Sequence, residues 1–454
     1  MARREGTKSN AIVDCLGLSM TPARVWSALT AALVGSLALL ALALPAGASA
    51  AARPRPGPGR AATHSRSPYP AAATRPTFGP DVARPARAHA AASKSKKAPK
   101  PVLHGNPARA LVSFQAMQKA YYIKGSGLYA GEPFSYLWPF SQAFAATVSM
   151  AFIPHLGVNL SPELHARLTG LNSYLDTDNS AAPEGTFTSA LPAFDGTVAP
   201  PSGPGGAKYY DDNDWIALEL VRLYELTHSK ALLGSAEGIM AFEMAGWQET
   251  PKLVCPGGLP FSNLAENNER NTVTTAPAAE LAVKLYMLTN NVEYLRFAEK
   301  AYTWVRTCLL TPTGLYADHI NRRGVVEPTL WSYNQGSMIG AGTLLFQATH
   351  NGGYLYQARQ TAKAALSYFT PQLLGEEIPF FASVYFRNLL YLDSVTHDPP
   401  GARIAQAYVN YAWTHLRLQN NLFVAGSPAS AQLLVQSAIV QIYALLSSPP
   451  STYF

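Results

Sequence analysis

Three aspartates, Asp211, Asp212 and Asp214, lie within four positions at the start of a segment with helical apolar periodicity. The first backbone N–H groups of a helix are unpaired and favour a nearby negative charge, so one aspartate here could be a helix cap. A cap needs one carboxylate, and three exceed that need. The flanking aromatic residues are Tyr209, Tyr210 and Trp215. Because sugar chemistry uses carboxylates beside aromatic rings, this stretch is a candidate active site.

Hydrolysis of a glycosidic bond requires two carboxyl groups, which in retaining enzymes lie about 5 to 5.5 Å apart. Neighbouring residues inside a helix point roughly 100° apart, so Asp211 and Asp212 could not both face a substrate from a regular helical stretch. The glycine-rich loop residues 203–206 shortly precede the pair. We therefore expect a loop-to-helix junction, where non-helical φ and ψ at the cap re-aim one of the two side chains.

Two segments carry a resemblance to a known family. Residues 209–215 read Tyr-Tyr-Asp-Asp-Asn-x-Trp and closely resemble the signature of glycoside hydrolase family 76, the endo-α-1,6-mannanases. Residues 331–336, Trp-Ser-Tyr-Asn-Gln-Gly, followed by Ile339, Gly340 and Ala341, are similar to a second segment of that family. Residues 271–304 are similar as well. The resemblance covers roughly residues 106 to 445.

The resemblance implies an enzyme that acts on α-1,6-mannosidic bonds with net retention, with Asp211 as the nucleophile and Asp212 as the general acid and base. The residues themselves leave this order open. A helix N-terminus should keep one carboxylate ionised, while repulsion from that charge raises the pKa of its neighbour, as a general acid near neutral pH requires. Two aspartates that only cap and solvate a helix are the alternative, and the second family segment argues against it.

Other residues are candidates for binding the sugar. Asp318 matches a family aspartate, and it could bind hydroxyl groups or lie in a simple turn. Asp214 and Phe261 stand where the family commonly has a small apolar residue and a tryptophan. Asp214 could perturb the pKa of the acid, although we expect a solvated residue in the first turn, and we expect Phe261 to replace the ring. The predicted substrate-binding residues are Tyr209, Tyr210, Asn213, Trp215, Asp318, Trp331, Tyr333, Asn334 and Gln335, and Trp138 is a further candidate for stacking.

We predict neither a metal ion nor an organic cofactor. The ten histidines are scattered along the chain, and His319 beside Asp318 is too little for a metal site. The chain has no glycine-rich phosphate loop following a strand, since hardly any alternating β pattern occurs.

From residue 105 onward, apolar residues recur at helical spacing in twelve segments. The predicted helices are 106–124, 140–156, 161–175, 211–228, 231–246, 272–290, 291–309, 332–350, 353–370, 380–396, 402–419 and 429–447. Joined in order they form six helical hairpins. This predicts an all-α fold, a closed (α/α)6 toroid with six inner and six outer helices, and an open α-solenoid is the alternative.

An internal repeat supports this architecture. Thr227, Thr289 and Thr349 each end a predicted helix and lie 62 and then 60 residues apart, and after the last two a Tyr-Leu pair opens the next helix. A period of two helices indicates hairpins that bury their apolar faces against one another. The long loops 176–210 and 247–271 lead into inner helices, and we expect them to line one mouth of the barrel.

The N-terminal region has a different composition. Residues 1–50 combine a basic start, an uncharged apolar stretch and the small residues Ala48, Ser49 and Ala50, which predicts a cleaved secretory signal; an uncleaved anchor is the alternative. Residues 51–104 are rich in Ala, Pro and Arg and predict a disordered linker before the enzyme domain 105–454. Residues 1–104 hold 15 basic and 3 acidic residues, which leaves 20 and 25, a formal charge of −5, for the rest.

Two cysteines, Cys255 and Cys308, remain after Cys15 leaves with the signal. In an oxidising compartment they could form one disulfide, or equally be two buried thiols.

The predicted protein is a secreted monomer whose partner is α-1,6-linked mannan or another mannose-containing cell-wall glycan. The acidic balance of the domain gives no reason to expect nucleic acid as a partner, and no membrane insertion is expected after signal cleavage. The alternatives are a transglycosylase with the same site, acting in wall building, and a catalytically silent mannan-binding protein. The presence of both aspartates argues against the catalytically silent alternative.

Overall fold

A computed structural model describes residues 103–176, 191–264, 267, 269–425 and 432–454. The predicted signal peptide and nearly all of the predicted linker lie outside these described residues. Part of the predicted loop 176–210 does as well.

All twelve predicted helices are present. Their bounds are α1 Gly105–Tyr121, α2 Leu137–Ala151, α3 Ser161–Leu171, α4 Tyr210–Thr227, α5 Lys230–Ala245, α6 Thr272–Thr289, α7 Val292–Leu309, α8 Ser332–Thr349, α9 Gly352–Tyr368, α11 Pro379–Thr396, α12 Pro400–Tyr411 and α13 Leu433–Leu445. A further short helix, α10 at Pro371–Glu376, was not predicted. It is six residues long, too short to show a helical apolar period.

The helices form two concentric layers. The inner layer is α2, α4, α6, α8, α11 and α13; each packs against the next, and α13 packs against α2, so the ring closes. The outer layer is α1, α3, α5, α7, α9 and α12. Inner helices are buried almost all round, as in the unbroken buried run 272–285 of α6, whereas outer helices such as α7 bury one face. The predicted (α/α)6 toroid is confirmed, and the open solenoid is wrong.

Short turns form one end of the barrel, which we call the closed end. Here Thr227, Thr289 and Thr349 end inner helices, as predicted, and each donates its hydroxyl hydrogen bond to the carbonyl four residues earlier at 2.7 Å. Thr396 is a fourth instance, which we did not predict. The residue after each threonine adopts a left-handed conformation with φ of 55° to 57°. The four turns therefore share one hydrogen-bonding pattern and one backbone conformation.

Longer connections form the opposite end, the mouth. They lead from each outer helix to the next inner helix and contain five two-residue strands, β1 Leu175–Asp176, β2 Ala193–Phe194, β3 Arg270–Asn271, β4 His319–Ile320 and β5 Val326–Glu327. β1 pairs with β2, and β3, β4 and β5 form an antiparallel sheet in that order. We predicted no strands, because two residues are too few to show alternation. The described parts of the two long loops lie at the mouth, as predicted.

The closed end is filled by the last residues of the chain. Arg222 of α4 donates from Nε to the carbonyl of Thr452 at 3.0 Å, and Arg387 of α11 donates to that of Tyr453 at 2.7 Å. Both guanidinium groups also lie 2.7 Å from the buried carboxylate of Glu219. Residues 450–454 are thereby held against the inner helices.

Cys255 and Cys308 form a disulfide with Cα atoms 6.2 Å apart, which decides between the two possibilities that the sequence left open. The bond joins the loop before α6 to the end of α7. Within the described ranges, no helix is both long and apolar enough to cross a membrane.

Candidate active site

The aspartate pair lies on the first turn of α4. The N-cap is Tyr209, with φ −96° and ψ 131°, and the helix begins at Tyr210. Asp211 and Asp212 are therefore both helical, and the expectation that non-helical backbone re-aims one of them is wrong, because the cap falls two residues before Asp211. The two side chains leave the helix in different directions. Asp211 is partly exposed at the mouth, and Asp212 is buried.

The two carboxyl groups differ in what stabilises their charge. Burial raises the pKa of Asp211 to about 7, although the backbone N–H groups of Asp211 and Asp212 hydrogen-bond to its carboxylate and oppose the rise. Burial, followed by repulsion from Asp211, raises the pKa of Asp212 well above its ordinary value, and no such hydrogen bond opposes it. The open N–H groups of the helix start thus favour charge on Asp211, while burial and that charge favour the protonated form of Asp212.

Asp214 is not solvated, contrary to our expectation. It is fully buried, and neither carboxyl oxygen has a hydrogen-bond partner in the described part of the chain. Burial raises its pKa, and repulsion from Asp211 and from Glu280 of α6 adds to the rise. Glu243 of α5 is likewise fully buried, and its pKa is raised by burial and by repulsion from Asp214. Helices α5 and α6 therefore cover the face of α4 that carries Asp214, which we expected to face solvent.

Asp318 lies beside this pair, at the end of the loop that leads into β4. Its negative charge contributes to the raised pKa of Asp211, so the structure brings the two carboxylates together. The side-chain amide of Asn334 donates to Asp318 Oδ1 at 3.2 Å, and His319 Nδ1 lies 3.0 Å from Asp318 Oδ2. The Oδ1 atom of Asn334 has no partner among the described residues. Asp318 and Asn334 thus lie beside Asp211 with capacity to bind further polar groups, and their binding of sugar stays a prediction.

An aromatic cluster adjoins the acids. Tyr333 of α8 is close enough to Asp318 and Asp211 that, after burial, their charges raise the pKa of its hydroxyl. Its ring packs on Phe381 at 4.1 Å between centroids, and Trp331 packs on the same ring at 5.3 Å. Phe380 contacts the rings of Trp138 and Trp215 at 5.5 and 5.8 Å. The cluster gathers aromatic candidates from α2, α4 and the start of α8 around Phe380 and Phe381 of α11.

Trp215 lies one turn deeper than Asp211 on the same face of α4. Its side chain is 5% exposed, and its indole N–H has no hydrogen-bond partner in the described part of the chain. A cavity in the barrel opens beside it, and the cavity lining includes Glu280, Arg387, Asn388 and Gln441. Trp215 therefore separates the mouth from the polar interior of the barrel.

Three predicted binding residues have other surroundings. Tyr210 is fully buried and stacks on Phe242 of the outer helix α5 at 4.6 Å, so its ring faces away from the barrel centre. The amides of Asn213 and Gln335 are engaged by the backbone. Asn213 binds both the N–H and the carbonyl of Phe194, and Gln335 does the same for Tyr316. The structure gives these three residues packing and loop-holding roles.

Gln436 shows that this arrangement is a repeat. It is the fourth residue of α13, as Asn213 and Gln335 are the fourth residues of α4 and α8, and it binds both backbone groups of Phe423 at 2.8 Å. Each of the three amides also donates to the carbonyl of the residue that precedes its helix. An Asn or Gln at the fourth position of an inner helix was a signal that the sequence contained and that we missed.

Lys208 is a positioning residue that sequence reasoning missed. Its Nζ lies 2.7 Å from Asp176 Oδ2 and 3.4 Å from Asp195 Oδ1, and all three side chains are buried. The cluster fixes the loop that leads directly into the aspartate pair. A signal was present, because Lys208 is the only basic residue between Arg167 and Arg222.

Tyr209 and Phe261 meet at the mouth, with ring centroids 5.4 Å apart. Phe261 thus lies beside the aspartate motif, where we expected it to replace a missing ring. Within the described ranges, no group of three or more His, Cys, Asp or Glu side chains is arranged to hold a metal ion.

Comparison with known proteins agrees with this architecture. The chain is 29% identical over 133 residues to a mannan endo-1,6-alpha-mannosidase from Candida glabrata, a match that spans 27% of this chain and only 29% of that relative. A family 76 glycoside hydrolase (mannosidase) from Bacteroides thetaiotaomicron has a similar structure, with a TM-score of 0.65, 22% identity, and coverage of 75% of this chain and 98% of that one.

A second solved structure is an inactive variant of an alpha-1,6-mannanase from Salegentibacter, in complex with alpha-1,6-mannotriose, in which two consecutive aspartates are replaced by asparagine. It is similar with a TM-score of 0.60, 18% identity, and coverage of 76% of this chain and 99% of that one. The family model described as glycosyl hydrolase family 76 matches residues 108–382, which is more than half of the chain. The chain therefore belongs to glycosyl hydrolase family 76 and is a glycoside hydrolase.

Proposed function

We propose that this glycoside hydrolase is a secreted, endo-acting enzyme that cleaves internal α-1,6-mannosidic bonds with retention of configuration. The observation that carries the proposal is the unequal aspartate pair at the start of α4. Asp211 is partly exposed and its charge is supported by backbone N–H groups, while burial and repulsion from Asp211 raise the pKa of its neighbour Asp212 well above the ordinary value and favour its protonated form. A retaining mechanism needs one carboxylate and one carboxylic acid in these two states.

Although the side chains of Asp211 and Asp212 leave the first turn of α4 in different directions, in our proposal the substrate lies across the start of the helix, within reach of both. In the first step, a carboxylate oxygen of Asp211 attacks the anomeric carbon while Asp212 gives its proton to the leaving glycosidic oxygen. The bond to the leaving sugar breaks, and a glycosyl-enzyme ester forms on Asp211. In the second step, Asp212, now ionised, takes a proton from a water molecule whose oxygen attacks the same carbon. The ester bond breaks, Asp211 regains its charge and Asp212 its proton.

The mannan substrate is supported by what the relatives act on or bind. The relative from Candida glabrata is a mannan endo-1,6-alpha-mannosidase, and the Salegentibacter structure holds alpha-1,6-mannotriose in a variant that lacks two consecutive aspartates. In our proposal Asp211 and Asp212 take the place of that pair. Asp318, Asn334, Tyr333 and Trp331 form the adjoining surface for sugar hydroxyls and rings.

The test is an assay of the purified protein on linear α-1,6-mannan, with the products sized by chromatography. We expect internal cleavage, seen as a rapid fall in chain length, and products of retained configuration by NMR. Activity should decrease as the pH falls below about 7, because the nucleophile Asp211 becomes protonated there. Longer glycans than the starting material would instead show transglycosylation, and binding without any product would show a silent mannan-binding protein.

Variants assign the roles. Asp211→Asn should abolish turnover of every substrate, whereas Asp212→Asn should lower mannan cleavage by about 10² to 10⁴-fold. With an aryl mannoside whose leaving group needs no proton, azide should restore turnover to Asp212→Asn, since azide needs no general base. Rescue of Asp211→Asn instead would reverse the assignment.

A further inference from the structure

His319 lies where three mouth strands meet, and the mechanism above does not use it. It belongs to the central strand β4, directly opposite Asn271 of β3 and Glu327 of β5. The sheet therefore fixes its backbone on both sides. Its side chain is 28% exposed, so it borders the mouth without lying free in solvent.

The imidazole and Asn334 hold Asp318 from two sides. His319 Nδ1 lies 3.0 Å from Oδ2, and the Asn334 amide donates to Oδ1 at 3.2 Å. A carboxylate oxygen has two lone pairs, so each oxygen of Asp318 can still accept a hydrogen bond from another group. The two donors restrict the carboxylate to one orientation.

Acidic residues surround the imidazole. Asp318, Glu269 and Glu327 all favour its charged form and raise its pKa, against the opposing effect of burial. Asp318 comes from the adjacent position, Glu269 from the residue before β3, and Glu327 from β5. These three carboxylates therefore favour the protonated form of the ring, which lies beside Asp318.

We propose that His319 is a positioning residue for Asp318, which it orients through Nδ1 and whose negative charge it offsets next to Asp211. The inference rests on the proposed function, in which Asp318 binds sugar hydroxyls beside the nucleophile. Two consequences are separable. The hydrogen bond sets how well Asp318 binds the sugar, and the positive charge limits how far Asp318 raises the pKa of Asp211.

Two substitutions separate the hydrogen bond from the charge. His319→Ala removes both, while His319→Asn keeps an amide N–H near the position of Nδ1 and removes only the charge. We expect His319→Ala to raise KM for an α-1,6-mannooligosaccharide about 10-fold, the effect of losing one charge-assisted hydrogen bond. His319→Asn should return KM to within about threefold of the wild-type value.

The pH profile should respond differently. Loss of the imidazolium leaves the charge of Asp318 uncompensated, so the pKa of Asp211 should rise. The acidic limb of kcat/KM should therefore move to higher pH in both variants, including His319→Asn. His350→Asn is the matched control, because His350 occupies the closed-end turn position that Asn290 occupies in the preceding repeat. It should leave KM and the pH profile unchanged. A wild-type KM and profile in His319→Ala, or no recovery of KM in His319→Asn, would overturn the proposal.

A readout without catalysis distinguishes this inference from the proposed function. NMR titration of histidine-labelled protein, with the His319 signal assigned by its loss in His319→Asn, should show a pKa above the ordinary histidine value. Asp318→Asn should lower it. An unchanged His319 titration in Asp318→Asn would disprove the pairing whatever the activity, whereas a shifted titration in a protein that does not cleave mannan would contradict only the proposed function.

Discussion

The closed end and the mouth of the barrel solve the same problem in different ways. Each must connect inner and outer helices and satisfy the backbone groups at helix ends. Four closed-end turns do so with one repeated pattern, a terminal threonine followed by a left-handed residue. The mouth uses buried charges, a disulfide and amide side chains that bind loop backbones.

This difference separates stability from function. The threonine turns form their hydrogen bonds between residues a few positions apart, so the same turn can recur in several hairpins. The mouth must hold long loops around partly exposed acids, and local bonds cannot do that. Its loops are therefore held by interactions between residues far apart in the sequence. We expect single substitutions to be costly at these mouth interactions and cheap at the threonine turns of the closed end.

Lys208→Met should show the largest effect. The substitution leaves Asp176 and Asp195 buried without their cation, and breaking a buried ion pair from one side costs about 3 to 5 kcal/mol. Urea denaturation measures this loss, and mannanase activity should fall with it, because the loop before Asp211 loses its anchor. Lys284→Met is the control. Its partner Glu225 is 32% exposed, so the loss should stay near 1 kcal/mol. Equal losses would remove the distinction between buried and accessible pairs.

Removal of the disulfide should come next. Cys255 and Cys308 are 53 residues apart, and a closed loop of that size contributes about 2 to 4 kcal/mol. A Cys255→Ala, Cys308→Ala double variant should lose that much by urea denaturation. Non-reducing mass spectrometry of the wild-type protein should find the two peptides joined. Two alkylatable thiols there would contradict the bridge.

Gln335→Leu tests whether an amide side chain holds a mouth loop in place. It leaves the buried N–H and carbonyl of Tyr316 without partners, at a cost of about 1 to 3 kcal/mol. Gln372→Leu removes an exposed amide that bonds only to Glu376 and should change stability little. If the two variants were equally stable, the mouth loops would be held by something other than these amides.

Thr349→Val should give the smallest loss. It removes a hydroxyl that donates to the carbonyl of Leu345 and accepts from the N–H of Asn351, and we expect a loss of about 0.5 to 1 kcal/mol. Thr289→Val should match it, and the two should add, because the turns share no partner. Thr307→Val, on an exposed outer face, is the control. A cost comparable to that of Lys208→Met would break the comparison between the two ends.

The sequence predicted the barrel well because its helices follow a local period. Apolar spacing is visible within one helix, and the repeated threonines marked the hairpin turns. Two-residue strands and the short helix α10 carry no such period and were missed. The disulfide was left undecided, since spacing along the chain does not report the distance between Cα atoms.

The site was predicted less completely, because its surroundings come from distant segments. The motif predicts Asp211 and Asp212 as the catalytic pair, but α4 begins at Tyr210, earlier than a re-aimed cap residue required. Asp214 was expected to be solvated because its covering helices, α5 and α6, follow later in the chain. Tyr210 was expected at the site because it is adjacent to the aspartate pair in sequence. It is the first residue of α4, however, and its ring points outward onto Phe242.

The C-terminal residues 450–454 give the barrel a bottom. Arg222 and Arg387 of the inner helices donate hydrogen bonds to the carbonyls of Thr452 and Tyr453, so this segment blocks the far end of the barrel. A polysaccharide therefore cannot thread through, and both ends of a bound chain must leave by the side on which it entered. Under the proposed function a long chain therefore lies across the mouth, and cleavage does not require a free chain end to enter the barrel. Early products should then be scattered in length, without the ladder of uniform steps that an enzyme cutting from a chain end leaves.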